Sequence, residues 1–344
     1  MPRTPAWTAA ILTVVIRATA SITQLRPPVH TRLRRPFAVI AVTAAGAALA
    51  GCGGSYASAG GSGSPTPTAT QALTPTAADP SGEPMPKGNL PGWHQVFADN
   101  FDQTVPVGQF PGAVYQTWSR TYRDGLKDTS KLGTYEPTKV VSIGHGVMNI
   151  HVHTHDGVHM VAAVLPSIPG AQGTGGGLLY GRYSMRFRTT PSSGYKLAVL
   201  LWPDSEDWPT DGEIDFPELV HLNAPILAYM HHQGATTQGD QVAFISTASP
   251  QQWHTTTLTW LPTGATFQVD GQVIGTAYAR IPNTPMHMII QAETAIGGPV
   301  PTPTEAADIQ IDWLTIYTPD CNRDMSVAPK KAACTPATLP ALPT

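Results

Sequence analysis

The run Asp211-Gly212-Glu213-Ile214-Asp215-Phe216-Pro217-Glu218 holds the residues best placed to do chemistry. On a strand, alternate residues face the same way. Glu213 and Asp215 therefore share a face, and Ile214 and Phe216 point to the other. Glu218 falls on the wrong face of a regular strand. One extra residue between 215 and 218, a β-bulge, returns it to the side of the other two. Pro217 suits that place, because proline in a sheet is confined to edges and irregularities. Three neighbouring acids raise the proton affinity of at least one of them. That gives one protonated acid and one carboxylate near neutral pH, the pair that glycoside hydrolysis uses. A calcium site also gathers carboxylates, and so does an acidic surface turn. Spacing alone leaves all three readings open.

The surrounding elements read as strands. From Trp93 to about Thr318 no long segment keeps a 3.6-residue apolar period. Short runs rich in Val, Ile, Thr, Tyr and Trp recur instead: Val140–Ile143, Val147–Val152, Tyr180–Arg188, Lys196–Trp202, Ile226–His231 and Trp253–Trp260. Thr266–Val269, Gln272–Thr276, Met286–Glu293 and Ile309–Tyr317 follow. Asp270-Gly271 between two such runs is a tight hairpin signal. Ten or more strands imply an all-β sandwich or jelly roll that forms one domain.

The chain has 344 residues, with 34 Pro and 32 Gly. Charged residues make up 12% and the net charge is −3. That excludes a nucleic-acid protein, which would carry a basic excess. It also excludes a highly charged disordered chain. Arg32-Leu33-Arg34-Arg35 precedes the uncharged run Pro36–Ala50, which ends in Leu49-Ala50-Gly51-Cys52. A basic cluster, a short apolar run and small residues describe a secretory signal, and the run is too short to span a membrane. Residues 1–51 are read as that signal region, longer than usual, with translation starting downstream of Met1. Of the 38 residues from Gly53 to Leu90, 29 are Gly, Ser, Pro, Thr or Ala. Residues 52–90 are therefore read as a disordered tether. The folded part is 91–319, and 320–344 is a tail. Two of the three cysteines, Cys321 and Cys334, remain for a disulfide on the outer side of the membrane.

Leu49-Ala50-Gly51-Cys52 is similar to the lipobox of bacterial lipoproteins, which implies cleavage before Cys52 and lipid on its thiol. Glu213, Asp215 and Glu218 match Glu-x-Asp-x-x-Glu, and here the chain resembles glycoside hydrolase family 16, the laminarinase and lichenase group. The flanks agree. Gly92-Trp93-His94-Gln95-Val96-Phe97-Ala98-Asp99-Asn100-Phe101 looks like the family's opening strand, and Tyr180-Gly181-Arg182-Tyr183 like the strand ahead of the catalytic one. Trp253-His254-Thr255 with Val269-Asp270-Gly271 resembles its later hairpin. Ile311-Asp312-Trp313-Leu314-Thr315-Ile316-Tyr317 resembles its closing strand. The resemblance implies a concanavalin A-like β-jelly roll with a concave cleft and retaining hydrolysis of internal β-linkages. Glu213 would be the nucleophile, Glu218 the general acid/base, and Asp215 the residue that tunes the nucleophile.

Lys196 and Leu200 stand where the family often has sugar-stacking tryptophans. Trp202 and Trp208 remain nearby, Trp202 reading more as core and Trp208 as a sugar platform. His231 matches a cleft histidine of the family, with Tyr229 on its face and His232 turned away. Gln291 and Glu293 share a face; Glu293 would bind substrate hydroxyls or pair with Lys196. Trp208, His231, Gln291, Glu293 and Trp202 are thus the expected substrate-binding residues. His151, His153 and His155 alternate and read as a solvated polar face. Asp312 aligns with a residue that binds structural calcium in some members; no organic cofactor and no catalytic metal are expected. The expected protein is a monomer outside the cytoplasm, lipid-anchored or secreted, acting on β-1,3- or β-1,3/1,4-glucan. Transglycosylation is the chemical alternative, and a carbohydrate-binding lipoprotein or a structural envelope protein the alternative in class.

Overall fold

The computed structural model describes residues 79–113, 115–118, 120–328 and 334–344. Its first nine strands are β1 (Trp93–Asp99), β2 (Arg120–Thr121), β3 (Leu126–Lys127), β4 (Gly133–Tyr135), β5 (Val141–Gly144), β6 (Val147–His155), β7 (Val158–Leu165), β8 (Gly181–Thr189) and β9 (Tyr195–Pro203). Then come β10 (Glu213–Leu219), β11 (Leu227–His231), β12 (Gln241–Ile245), β13 (His254–Leu261), β14 (Gly264–Val269), β15 (Gln272–Ala277), β16 (Met286–Thr294) and β17 (Ala306–Pro319). Among the described residues, helix is limited to single turns such as Pro137–Val140. The expected all-β jelly roll is what the chain forms.

One layer runs β12-β11-β10-β9-β16-β7-β2 by its pairings. The other runs β15-β14-β13-β8-β17, with β1 and β6 both alongside the long β17. β7 belongs to both: Val158–Val161 pairs with β6 and β4, and Ala162–Val164 pairs with β16. It closes one side of the sandwich. Alternation fills the space between the layers. Ile214, Phe216 and Met230 point inward from the first layer, and Met185, Phe187 and Phe267 from the second. Phe216 meets Phe267 edge to face at 5.4 Å. The Asp270-Gly271 hairpin forms as expected: Val269 pairs Gln272, and both turn residues have positive φ, 49° and 76°. That is the backbone a two-residue primed turn requires.

The segment 79–90 departs from the tether expectation. It lies on the outer face of the second layer, where Arg186, Asp312 and Trp313 present polar groups that need partners. Ser81 N–H donates to Asp312 Oδ2 at 3.3 Å, and Trp313 Nε1 donates to the Glu83 carbonyl at 3.0 Å. Arg186 pairs with the Glu83 carboxylate at 2.7 Å. Asp312 Oδ1 has no hydrogen-bond partner among the described residues. The composition that suggested disorder is also what lets this segment lie flat in extended form. The rest of the tether, with Cys52 and the signal region, falls outside the described residues.

The tail returns to the same face, where Leu339 and Leu342 pack with Leu90 against Trp93, Leu261 and Tyr317. Cys321 and Cys334 are bonded, with Cα atoms 5.1 Å apart and a sequence separation of 13. The chain-entropy model assigns a loop of that length ~3 kcal/mol. Cys321→Ser/Cys334→Ser is therefore expected to lower the melting temperature measurably while leaving activity per folded molecule unchanged. A thermal melt beside a rate assay checks this.

Candidate active site

β10 sits inside its layer, between β9 and β11. Glu213 pairs His231 and Asp215 pairs Tyr229 across to β11; on the other side Asp215 pairs Leu200. The next aligned residue is Glu218, opposite Leu227 and Ala198. Three steps along β10 thus match two steps on each neighbour, which is the expected bulge. All three acids emerge on the face away from the core.

Gly212 immediately precedes the first acid, at φ +72°. A Cβ there would lie 2.6 Å from the His231 carbonyl oxygen. Only glycine lets β10 start this close to β11. The face continues through β9 into β16, where Ala198 opposes Gln291, Lys196 opposes Glu293 and Trp202 opposes His287.

Each acid has a distinct set of neighbours. Trp208 Nε1 donates to Glu213 Oε2 at 2.9 Å. His231 Nε2 lies 3.8 Å from that oxygen and 3.6 Å from Asp215 Oδ2. His231 Nδ1 lies 3.2 Å from the Gln238 carbonyl, which places a ring hydrogen there and turns Nε2 to the acids. Lys196 Nζ donates to Glu218 Oε1 at 3.1 Å. Glu218 is the most exposed of the three, its side chain 16% accessible.

Burial, and then the charge of Asp215, hold the Glu213 carboxyl well above the usual carboxylate range. The Trp208 N–H works in the opposite direction. Burial also raises Glu218, and Lys196 opposes that rise. The cluster therefore retains a proton where isolated carboxylates would have lost theirs. A group of acids that holds a proton more tightly than isolated carboxylates offers both a donor and a carboxylate nucleophile.

The family model for glycosyl hydrolases family 16 matches residues 144–315, half of the chain, and spans all three acids. The chain belongs to glycosyl hydrolases family 16. It is a glycoside hydrolase. Its similarity to a beta-glucanase of Rhodothermus marinus is 25% identity over 264 residues, covering 66% of this chain and 86% of that one. A Crh-like protein 5 of Aspergillus fumigatus is 26% identical over 117 residues, 32% of this chain; the match spans only 28% of that protein's length. Among solved structures, the laminarinase from Rhodothermus marinus superposes with TM-score 0.52 at 21% identity, over 65% of this chain and 97% of that one. A non-specific endo-beta-1,3(4)-glucanase of the family gives TM-score 0.55 at 18% identity, over 68% and 94%. These structural likenesses speak for the fold.

Three of the expected substrate-binding residues, Trp202, Glu293 and Gln291, are buried. Trp202 is 1% exposed, so its face is not open to a sugar. It stacks beneath Trp208, with ring centroids 6.1 Å apart and planes 14° off parallel, and donates to Glu206 Oε2 at 3.1 Å. Trp202 is a floor that fixes the orientation of Trp208. Glu293 is 0% exposed. Its Oε1 accepts from Thr129 N–H at 3.0 Å, from Thr129 Oγ1 at 2.8 Å and from the Tyr135 hydroxyl. The ion pair of Lys196 goes to Glu218 rather than to Glu293. Gln291 is buried too, donating to the Tyr135 hydroxyl at 3.1 Å. Trp208 and His231 are in direct contact with the acids or their ring neighbours, 5.8 Å apart and steeply inclined. The residues missed from sequence are Thr129 and Tyr135, which cover Glu293, and no local motif marks them.

Proposed function

We propose that this enzyme is an endo-acting, retaining β-glucanase of the extracytoplasmic space, with β-1,3- or mixed β-1,3/1,4-glucan as substrate. The observation that carries the chemistry is the alignment of Glu213, Asp215 and Glu218 on one face of β10, with Trp208 and Lys196 on the outer two. The linkage rests on the relatives, a beta-glucanase and a laminarinase. In the proposed reaction Glu213 attacks the anomeric carbon as Glu218 protonates the departing oxygen, leaving a glycosyl ester on Glu213. Glu218, now a carboxylate, takes a proton from water, whose oxygen attacks the anomeric carbon and releases Glu213. A second sugar hydroxyl in place of water gives transglycosylation by the same path. Asp215 lies between the two glutamates along the strand and tunes Glu213 through its charge and a hydrogen bond.

The location rests on the sequence of the signal region and the lipobox-like Leu49-Ala50-Gly51-Cys52. Lipid on Cys52 would tether the domain through the Pro- and Thr-rich segment ahead of residue 79.

Reducing-end release from laminarin, lichenan, agarose, carrageenan and xyloglucan tests the substrate class. Release from laminarin or lichenan, lost in Glu213→Gln, supports the proposal. Release only from a galactan overturns the linkage. Trp208 offers a second test. Trp208→Phe keeps a ring over Trp202 but removes the N–H that reaches Glu213. A hydrogen bond to a charged group contributes ~1.5–3 kcal/mol, so kcat/KM is expected to fall roughly 10- to 100-fold, mostly in kcat. An equal fall confined to KM would make Trp208 a sugar platform only.

A further inference from the structure

β6 carries His151, His153 and His155 on its outward side, while Ile150 and Val152 point into the core. The solvated face expected from the sequence is therefore present, but two of its rings are held in a particular way. The imidazoles of His151 and His153 lie side by side, centroids 4.8 Å apart and planes 30° off parallel. His151 Nδ1 is 2.8 Å from Asp308 Oδ1, on the directly opposed residue of β17. Asn149 donates to the same oxygen at 2.9 Å, fixing that carboxylate in place. His153 Nδ1 is 2.8 Å from the His151 carbonyl.

Both acceptors can only accept, so each Nδ1 carries the hydrogen. In a neutral ring the lone pair then sits on Nε2. Neither Nε2 has a protein partner among the described residues. A histidine that binds a metal almost always donates its other N–H to a carboxylate or a backbone carbonyl. These two do so before any metal is bound. His155 differs: its ring is 6.4 Å from that of His153 and steeply inclined, and its Nε2 faces Asp156 at 3.5 Å.

We propose that His151 and His153 form a two-imidazole surface site for a late divalent transition metal, with Asp308 as its positioning residue. Imidazole suits zinc, copper and nickel, and among divalent ions Cu²⁺ binds a given nitrogen site most tightly. Water completes the coordination on this exposed face. The site lies outside the catalytic acids and takes no part in the hydrolysis.

The test is a Cu²⁺ titration of the untagged protein by calorimetry, with electron paramagnetic resonance to count coordinated nitrogens. The expected result is a two-nitrogen signal that His153→Gln abolishes, with affinity falling at least about tenfold. Asp308→Ala is expected to weaken binding ~10- to 100-fold, as loss of such outer partners does. His155→Gln leaves both readouts unchanged. All three positions are at or near the surface, and an unchanged melting curve confirms folding. A two-nitrogen signal that survives His153→Gln overturns the proposal. So does Cu²⁺ binding that depends on His231 and the acids of β10 instead.

Discussion

Glu213→Gln and Glu218→Gln are each expected to lower polysaccharide cleavage by on the order of 10³-fold or more. Neither change removes volume, and each takes one charge out of a crowded acid cluster. For Glu213→Gln the melting temperature is therefore expected to hold or rise, whereas Glu218→Gln gives up the ion pair with Lys196 and is expected to melt lower, so its activity is compared per folded molecule. The two variants separate on a substrate whose leaving group needs no proton, such as an aryl glycoside. Glu213→Gln remains inactive there, because nothing attacks the anomeric carbon. Glu218→Gln still forms the glycosyl ester and then stalls, because no base activates the water. A burst of phenol followed by a slow phase is its kinetic mark. Identical behaviour of the two variants on that substrate would contradict the assigned roles.

Lys196→Met is expected to act on both pH dependence and stability. Lys196 donates to Glu218 at 3.1 Å and faces Glu293 across the strand pair. Its charge lowers the proton affinity that burial gives Glu218. The alkaline limb of kcat/KM reports loss of the Glu218 proton. Without Lys196 the acid form persists to higher pH, so that limb moves up. Stability moves the other way. Removing one partner of a buried ion pair costs ~3–5 kcal/mol when the other charge stays behind, and here both Glu218 and Glu293 stay behind. Part of this loss is recovered in Lys196→Met/Glu293→Gln, which removes a second charge. A pH–rate profile with denaturant unfolding of both variants checks the pair of effects. An alkaline limb that stays in place in the folded variant would show that Lys196 does not govern Glu218.

The catalytic strand was legible because its signals are local. Period-two alternation set the faces of Glu213 and Asp215, and Pro217 marked the irregularity that brings Glu218 round. Asp270-Gly271 was legible for the same reason, since a two-residue turn is decided by the two residues in it. The misplaced residues depend on contacts far along the chain. Glu293 is sealed by Thr129, 164 positions earlier, and no pattern around Glu293 announces that cover. Trp202 alternates on the same face as Lys196, so its side was readable, but the loop that lays Trp208 over it was not. Residues 79–90 have the composition of a linker. Their order comes from Arg186, Asp312 and Trp313 on a distant sheet face, which composition does not register.

The proposed reaction attaches a sugar covalently to Glu213. It is tested most directly by brief incubation of Glu218→Gln with a β-laminaribiosyl fluoride, followed by peptide mass spectrometry. Fluoride leaves without a proton from Glu218, so the first step proceeds and the second is slow. The predicted result is one disaccharide ester, located on Glu213, that disappears on longer incubation with a sugar acceptor. Fluoride release with Glu213 unmodified throughout would contradict it.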